Sequence, residues 1–230
     1  MAAPRTRRYV PDAGIEPDVA RDSVADILLP VVPGPRATGA ELWRHVFGRT
    51  APVEIEIGCG PGTFLVQAAR HAPTRDFLGL ERAPRLAMAA EQALAAAGLP
   101  NARILRCDAR CVVARLIPPR SVAAYHLYFP DPWWKRRHHK RRVYTGAFAS
   151  AIARTLTTNG RVYVATDVPP LFELIRQRFA RAGLVLLPEP PPSPRTVFAR
   201  RCREEKRRLH EAVFGLRLAA GRGVDESDRA

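Results

Sequence analysis

From position 53 onward, short apolar runs alternate with segments of helical period. Val53–Ile57 alternates apolar and acidic residues, as a strand with one polar face does, and runs into Gly58-Cys59-Gly60-Pro61-Gly62. Thr63–His71 gathers Phe64, Leu65, Ala68 and Ala69 on one side and predicts a helix. Asp76–Leu80 reads as a strand closed by Glu81, and Pro84–Ala97 as a helix stopped by Gly98 and Pro100. Arg103–Cys107 and Ser121–Phe129 predict two more strands, ending at Asp108 and at Pro130-Asp131-Pro132. A helix over Gly146–Thr157, a strand over Gly160–Thr166 ending at Asp167 and a helix over Pro170–Ala182 continue the alternation. Beyond the apolar run Leu184–Leu187, five prolines between 188 and 194 predict a stiff extended loop. Thr196–Phe198 and Ala212–Leu218 supply the last strand candidates, and Arg200–His210 a charged helix.

Strands separated by helices imply right-handed crossovers and an α/β fold, with a mainly parallel, doubly wound sheet. A last antiparallel element fits its C-terminal end. Residues 1–40 hold no sustained periodicity and read as an irregular N-terminal arm, although Leu42–Phe47 begins a helical turn. Residues 41–218 form the domain, and 219–230 a frayed, disordered tail. A chain of 230 residues is enough for one such core and short for two.

Composition changes this picture in one respect. Thirty-seven Lys and Arg against 22 Asp and Glu leave a formal charge of +15, which favours a polyanionic partner, most often nucleic acid. Arginine-rich coding bias is the bland alternative, so the placement of the charges has to decide. No apolar run is long enough to span a membrane, and no secretory signal is evident, which makes the cytoplasm the expected compartment. The four cysteines, at 59, 107, 111 and 202, form no Cys-x-x-Cys pair, and no metal site is expected.

Candidate chemistry collects where strands end. Ligands of a parallel sheet bind beyond the carboxyl ends of its strands, and glycines there let the backbone approach them closely. Gly58-x-Gly60-x-Gly62 has that position, with Glu56 two residues before it. Glu81 follows nineteen residues after Gly62, where a carboxylate can accept both hydroxyls of a ribose. Asp108 ends the third strand and can accept from an exocyclic amine of a base; the bland reading of any one of these acids is a helix cap. At the fourth strand end, Phe129-Pro130-Asp131-Pro132-Trp133-Trp134 leads into a run from Lys135 to Arg142 with six Lys or Arg, two His and no acid. Such cations can hold phosphates while a carboxylate and aromatic rings face a base.

The short Gly-x-Gly-x-Gly form with its preceding acid resembles the first motif of the S-adenosylmethionine-dependent methyltransferases with a Rossmann-like sheet. The stretch from about Trp43 to Phe198 is similar to the bacterial tRNA (guanine-N7-)-methyltransferase family, which modifies guanosine 46 of the tRNA variable loop. Phe47-Gly48-Arg49-Thr50-Ala51-Pro52 leading into Val53–Cys59 and Gly60, the block from Phe129 to Arg142 and Ala165-Thr166-Asp167 carry the resemblance. It implies a class I methyltransferase fold, S-adenosylmethionine as cofactor, tRNA as partner, and action as a monomer or homodimer. By the family pattern Glu56, Gly58, Gly60, Gly62, Glu81, Asp108, Ala109 and Asp131 contact cofactor, and Asp131 is also the catalytic residue. Lys135, Asp167 and Thr196 match substrate-binding positions, and Arg137, His138, His139, Lys140, Arg141 and Arg142 the RNA-contacting stretch. One departure stands out. Where the family commonly closes Thr-Lys-Phe-Glu, this chain has Thr196-Val197-Phe198-Ala199, without the glutamate.

Two other readings remain open on the residues alone. One is a methyltransferase of the same fold acting on another planar amine, in protein or DNA. The other is a non-catalytic RNA-binding module that keeps the fold.

Overall fold

The computed structural model describes residues 38–131, 144–191 and 196–217. Fourteen elements follow one another in the described residues: α1 (Gly39–Phe47), β1 (Val53–Ile57), α2 (Thr63–His71), β2 (Asp76–Glu81), α3 (Pro84–Ala96), β3 (Ala102–Arg106) and α4 (Ala109–Arg115), then β4 (Val122–Tyr128), α5 (Gly146–Thr155), β5 (Leu156–Thr166), α6 (Pro169–Arg181), β6 (Leu184–Leu186), α7 (Val197–Glu204) and β7 (His210–Leu216). The strands form one sheet in the order β3-β2-β1-β4-β5-β7-β6. The first five are parallel, and β7 lies antiparallel between β5 and β6. The strand order reverses between β1 and β4, so the crevice for a ligand opens above these two strands.

Both faces are covered. On one, α2 and α3 pack Leu65, Ala69, Ala90 and Leu94 against Phe77 and Ala102. Gly79 makes the close approach of α2 possible, since a Cβ there would stand 2.4 Å from Leu65 Cδ1 and 2.8 Å from Cys59 Sγ. On the other face, α1, α4, α5 and α6 join the larger core around Ile55, Tyr125, Leu127, Val162 and Val164. Helix ends are tied across elements, as buried carbonyls require. Asn101 donates to the carbonyls of Ala69, Ala72 and Arg75 behind α2, and Arg154 to those of Val113, Ala114 and Ile117 behind α4.

Several boundaries depart from the sequence pattern. The first helix begins at Gly39 because Thr38 and Glu41 form a reciprocal capping box, and Trp43 fixes it by donating from Nε1 to the Ser121 carbonyl at 2.6 Å. Helix α4 goes beyond the sequence reading: it is only two turns long, and its one signal is Asp108 as N-cap. Helix α5 ends at Thr155 rather than Thr157, because Leu156 turns extended and pairs with Val122 at an irregularity in the ladder. Thr196–Phe198 is not a strand. The Thr196 hydroxyl accepts from the Ala199 N–H at 3.0 Å and starts α7, which stops at Glu204 so that His210 already belongs to β7. The proposed arm up to residue 37, the tail from 218 and the run from 132 to 143 lie outside the described residues.

Candidate functional site

Strand β1 delivers Glu54 and Glu56 to the α2 side of the sheet by the two-residue alternation of side chains. Glu56 is 3% exposed, and its Oε2 has no hydrogen-bond partner in the structure. Burial, reinforced by the neighbouring Glu81 charge, pushes its carboxyl well above the ordinary carboxylate range. An acid held this way calls for a cation or donor to complete it.

The loop after β1 is built for backbone rather than side chains. Gly60 and Gly62 have φ of 55° and 78°, which L side chains adopt only under strain. A Cβ on Gly60 would meet nothing within 4 Å, whereas one on Gly62 would meet Ala90 Cβ at 3.0 Å and Cα at 3.2 Å. Gly60 thus borders open space, and Gly62 seats the start of α2 on α3.

Glu81 closes β2 directly beside this loop. Its Oε2 accepts the Gly60 N–H at 2.9 Å, and its Oε1 the Ala83 N–H at 2.7 Å. Each carboxylate oxygen keeps lone-pair capacity for a further donor, as two vicinal hydroxyls require. Asp108 follows β3 and caps α4 by accepting the Arg110 N–H at 2.9 Å, while the Arg110 guanidinium also pairs with it. Burial pushes the Asp108 carboxyl up, but the hydrogen bonds and charge of Arg110 outweigh this and leave it below its usual value. The cap reading of Asp108 is therefore the one observed. Ala109, 7% exposed, packs behind it as the first residue of α4.

At the end of β4, Phe129 turns to a φ of 49° while donating its N–H to the Ala165 carbonyl at 2.8 Å. A non-glycine residue in this region costs on the order of 1–3 kcal/mol, a strain characteristic of functional turns. The turn leaves Asp131 exposed, with its carbonyl accepting from the buried Tyr144 hydroxyl at 3.3 Å. Asp167, just past β5, is ion-paired with Arg207. Thr196 serves as the cap of α7, and Ala199, the position where the family glutamate is missing, is fully buried. Lys135 and the run of Arg137, His138, His139, Lys140, Arg141 and Arg142 lie outside the described residues.

Three features were not singled out in the sequence. Arg207 engages Asp167, and the Phe198 ring stacks on Phe129 with centroids 5.9 Å apart. On the α2 side, His126 bridges Glu54, 2.8 Å from Nε2, and the Tyr128 hydroxyl, 3.0 Å from Nδ1, with Tyr163 stacked on its ring. Burial pushes the Glu54 carboxyl up, but His126 and Arg75 pull it below its usual value. Only the alternation of acids in β1 hinted at this network.

A protein family described as "Putative methyltransferase" matches residues 50–212. A tRNA (guanine-N(7)-)-methyltransferase of Halorhodospira halophila is 36% identical over 184 residues, covering 75% of this chain and 78% of that protein. The protein of the same name from Pseudomonas putida is 37% identical over 184 residues, covering 76% and 75%. The chain belongs to the tRNA (guanine-N7-)-methyltransferase family.

Solved structures agree on the fold. An aminoglycoside resistance methyltransferase superposes with a TM-score of 0.57 at 17% identity, covering 79% of this chain and 95% of that one. A 16S rRNA methyltransferase gives 0.53 at 20% identity, covering 75% and 90%. At such identities the likeness extends to the fold alone, a class I S-adenosylmethionine-dependent methyltransferase sheet with an antiparallel C-terminal hairpin. Of the three strand-end acids, Glu56 has a buried oxygen without a partner, whereas Glu81 already accepts from Gly60 and Ala83 and Asp108 is held by Arg110.

Proposed function

We propose that this protein transfers a methyl group from S-adenosylmethionine to N7 of a guanosine in tRNA, at position 46 of the variable loop. Family membership together with the buried, unpartnered Glu56 carboxylate beside Glu81 and the glycine loop carries this reading. The chain's residues fit the cofactor. Glu81 would hold the ribose, Asp108 with Ala109 the adenine edge, and Glu56 the cationic methionine end, along a backbone made by Gly58, Gly60 and Gly62. Bound there, S-adenosylmethionine supplies an electrophilic methyl on sulfur.

The protein's part is orientation and charge. Guanine N7 carries an in-plane lone pair and no proton, so no general base is needed for it to displace the sulfonium in line. Asp131 accepts from guanine N1–H and the exocyclic amine, which holds the base, selects guanine over adenine and offsets the positive charge the purine gains. Lys135, Asp167 and Thr196 complete the substrate side. Residues 137–142 bind the tRNA backbone. The catalytic unit is the domain over residues 41–218, working in the cytoplasm as a monomer or homodimer. Among the described residues, no helix is long and apolar enough to cross a membrane.

Methyl transfer to bulk tRNA lacking the modification, with nucleoside analysis of the product, tests the reading. N7-methylguanosine is expected. A different methylated nucleoside, or S-adenosylmethionine binding without transfer, would replace this reading with one of the two alternatives raised by the sequence.

A further inference from the structure

Helix α7 and the turn after it carry six Lys or Arg between 197 and 208 against two acids, Glu204 and Glu205, an excess of four positive charges. The catalytic reading uses none of them except Arg207. The segment is anchored on its inner side, where Ala199 and Cys202 are fully buried. It is anchored at both ends as well, by Phe198 stacked on Phe129 and by Arg207 paired with Asp167. Phe129 follows β4 and precedes Asp131 by two residues, and Asp167 follows β5, so these two contacts hold the segment at the strand ends where the substrate side of the site lies.

Beyond the exposed Val197 and Phe198 at its start, its outer side is charged. Arg200 and Arg201 have side chains 74% and 65% exposed, and Lys206 and Arg208 are also exposed. Arg200 pairs with Glu204 at 3.6 Å and Arg201 with Glu205 at 3.3 Å. Exposed pairs of this spacing contribute only a few tenths of a kcal/mol, so a phosphate can replace either carboxylate at little cost. A solvated face needs no such tethering at the strand ends.

We infer that Arg200, Arg201, Lys206 and Arg208 form a second phosphate-binding surface that holds the tRNA backbone on the α7 side of the pocket, opposite in sequence to the 137–142 run. The inference rests on tRNA being the substrate. Phosphate contacts position a nucleic acid without reading its sequence, so cations on α7, held close to the turn that carries Asp131, would limit the rotation of the target nucleotide. The tRNA variable loop, with phosphates on either side of guanosine 46, presents the charge this arrangement takes.

The test uses the full chain and unmodified tRNA, comparing the parent with the triple variant Arg200→Gln, Arg201→Gln, Arg208→Gln. Affinity is measured at three salt concentrations, with S-adenosylmethionine affinity as the check on folding. The variant is expected to bind tRNA at least tenfold more weakly at low salt and to lose about two to three units of log–log salt slope, each of the three phosphate contacts contributing somewhat under one. Cofactor affinity stays within twofold. An unchanged slope, with or without weaker binding, overturns the inference. Should the triple variant fail the cofactor check, Lys206→Gln and Arg208→Gln singly decide, each expected to lose just under one unit of slope; parent-like slopes in both overturn it. The parent's own methyl transfer separates the two readings. No N7-methylguanosine from the parent removes the tRNA reading and this one with it, whereas an active parent with parent-like variants removes this one alone.

Discussion

The Glu81 carboxylate accepts the backbone N–H of Gly60 at 2.9 Å, so the residue proposed to hold the ribose also shapes the glycine loop. Its other oxygen accepts from Ala83 at 2.7 Å and ties the start of α3 to the same point. Glu81→Ala therefore removes the proposed ribose ligand and a loop strut together. It is expected to weaken S-adenosylmethionine binding by about 1–3 kcal/mol, measured by calorimetry. Unchanged affinity would assign the ribose to another residue.

Glu56 gives a pH dependence whose sign follows from its burial. Its folded pKa lies above the unfolded value, so the folded chain without cofactor holds the proton more tightly, and stability declines as pH rises from about 4.5 through the folded value. Glu56→Gln is expected to remove that decline and to be more stable than the parent at neutral pH, read from denaturation midpoints across pH. Binding of the cationic cofactor by the parent should release protons, seen as a buffer-dependent enthalpy. The variant should release none at this site and bind S-adenosylmethionine at least tenfold more weakly.

Asp131→Asn retains shape and removes charge. Single-turnover methyl transfer is expected to fall by roughly 10- to 1000-fold, with tRNA affinity nearly intact. Parent-like turnover would leave Asp131 as a turn residue and nothing more.

Gly62→Ala tests the geometry of the loop. The new methyl would meet Ala90 at 3.0 Å on a backbone with φ of +78°. A stability loss of about 1–3 kcal/mol, seen as several degrees in Tm, is expected together with weaker cofactor binding. Full stability would show that α2 and α3 can move apart freely.

The basic run has its own test. Lys140→Ala with Arg141→Ala should flatten the salt dependence of tRNA binding, by something under about one unit per lost contact, and leave cofactor affinity unchanged. A parallel shift at constant slope would argue against phosphate contact.

Much of this protein is legible in the order of its residues. Alternation in Val53–Ile57, the glycine loop, and acids at the ends of β1, β2 and β3 identify the sheet and its ligand edge, because strand period and backbone conformation are local properties. The Phe129–Arg142 block, in turn, is a contiguous signature. What the tertiary structure decided is which long-range partners those residues have. Glu56 is buried beside Glu81, with its Oε2 unpartnered, because β1 and β2 are neighbours, and a pKa shift of that origin has no local signal. Thr196–Phe198 has the composition of a strand, yet the Thr196 cap, the Phe129–Phe198 stack and the Arg207–Asp167 pair make the segment a helix held at the site. A short apolar run has nearly equal propensity for either state, and the local Thr196 cap together with contacts forty residues or more away in the chain tips the balance.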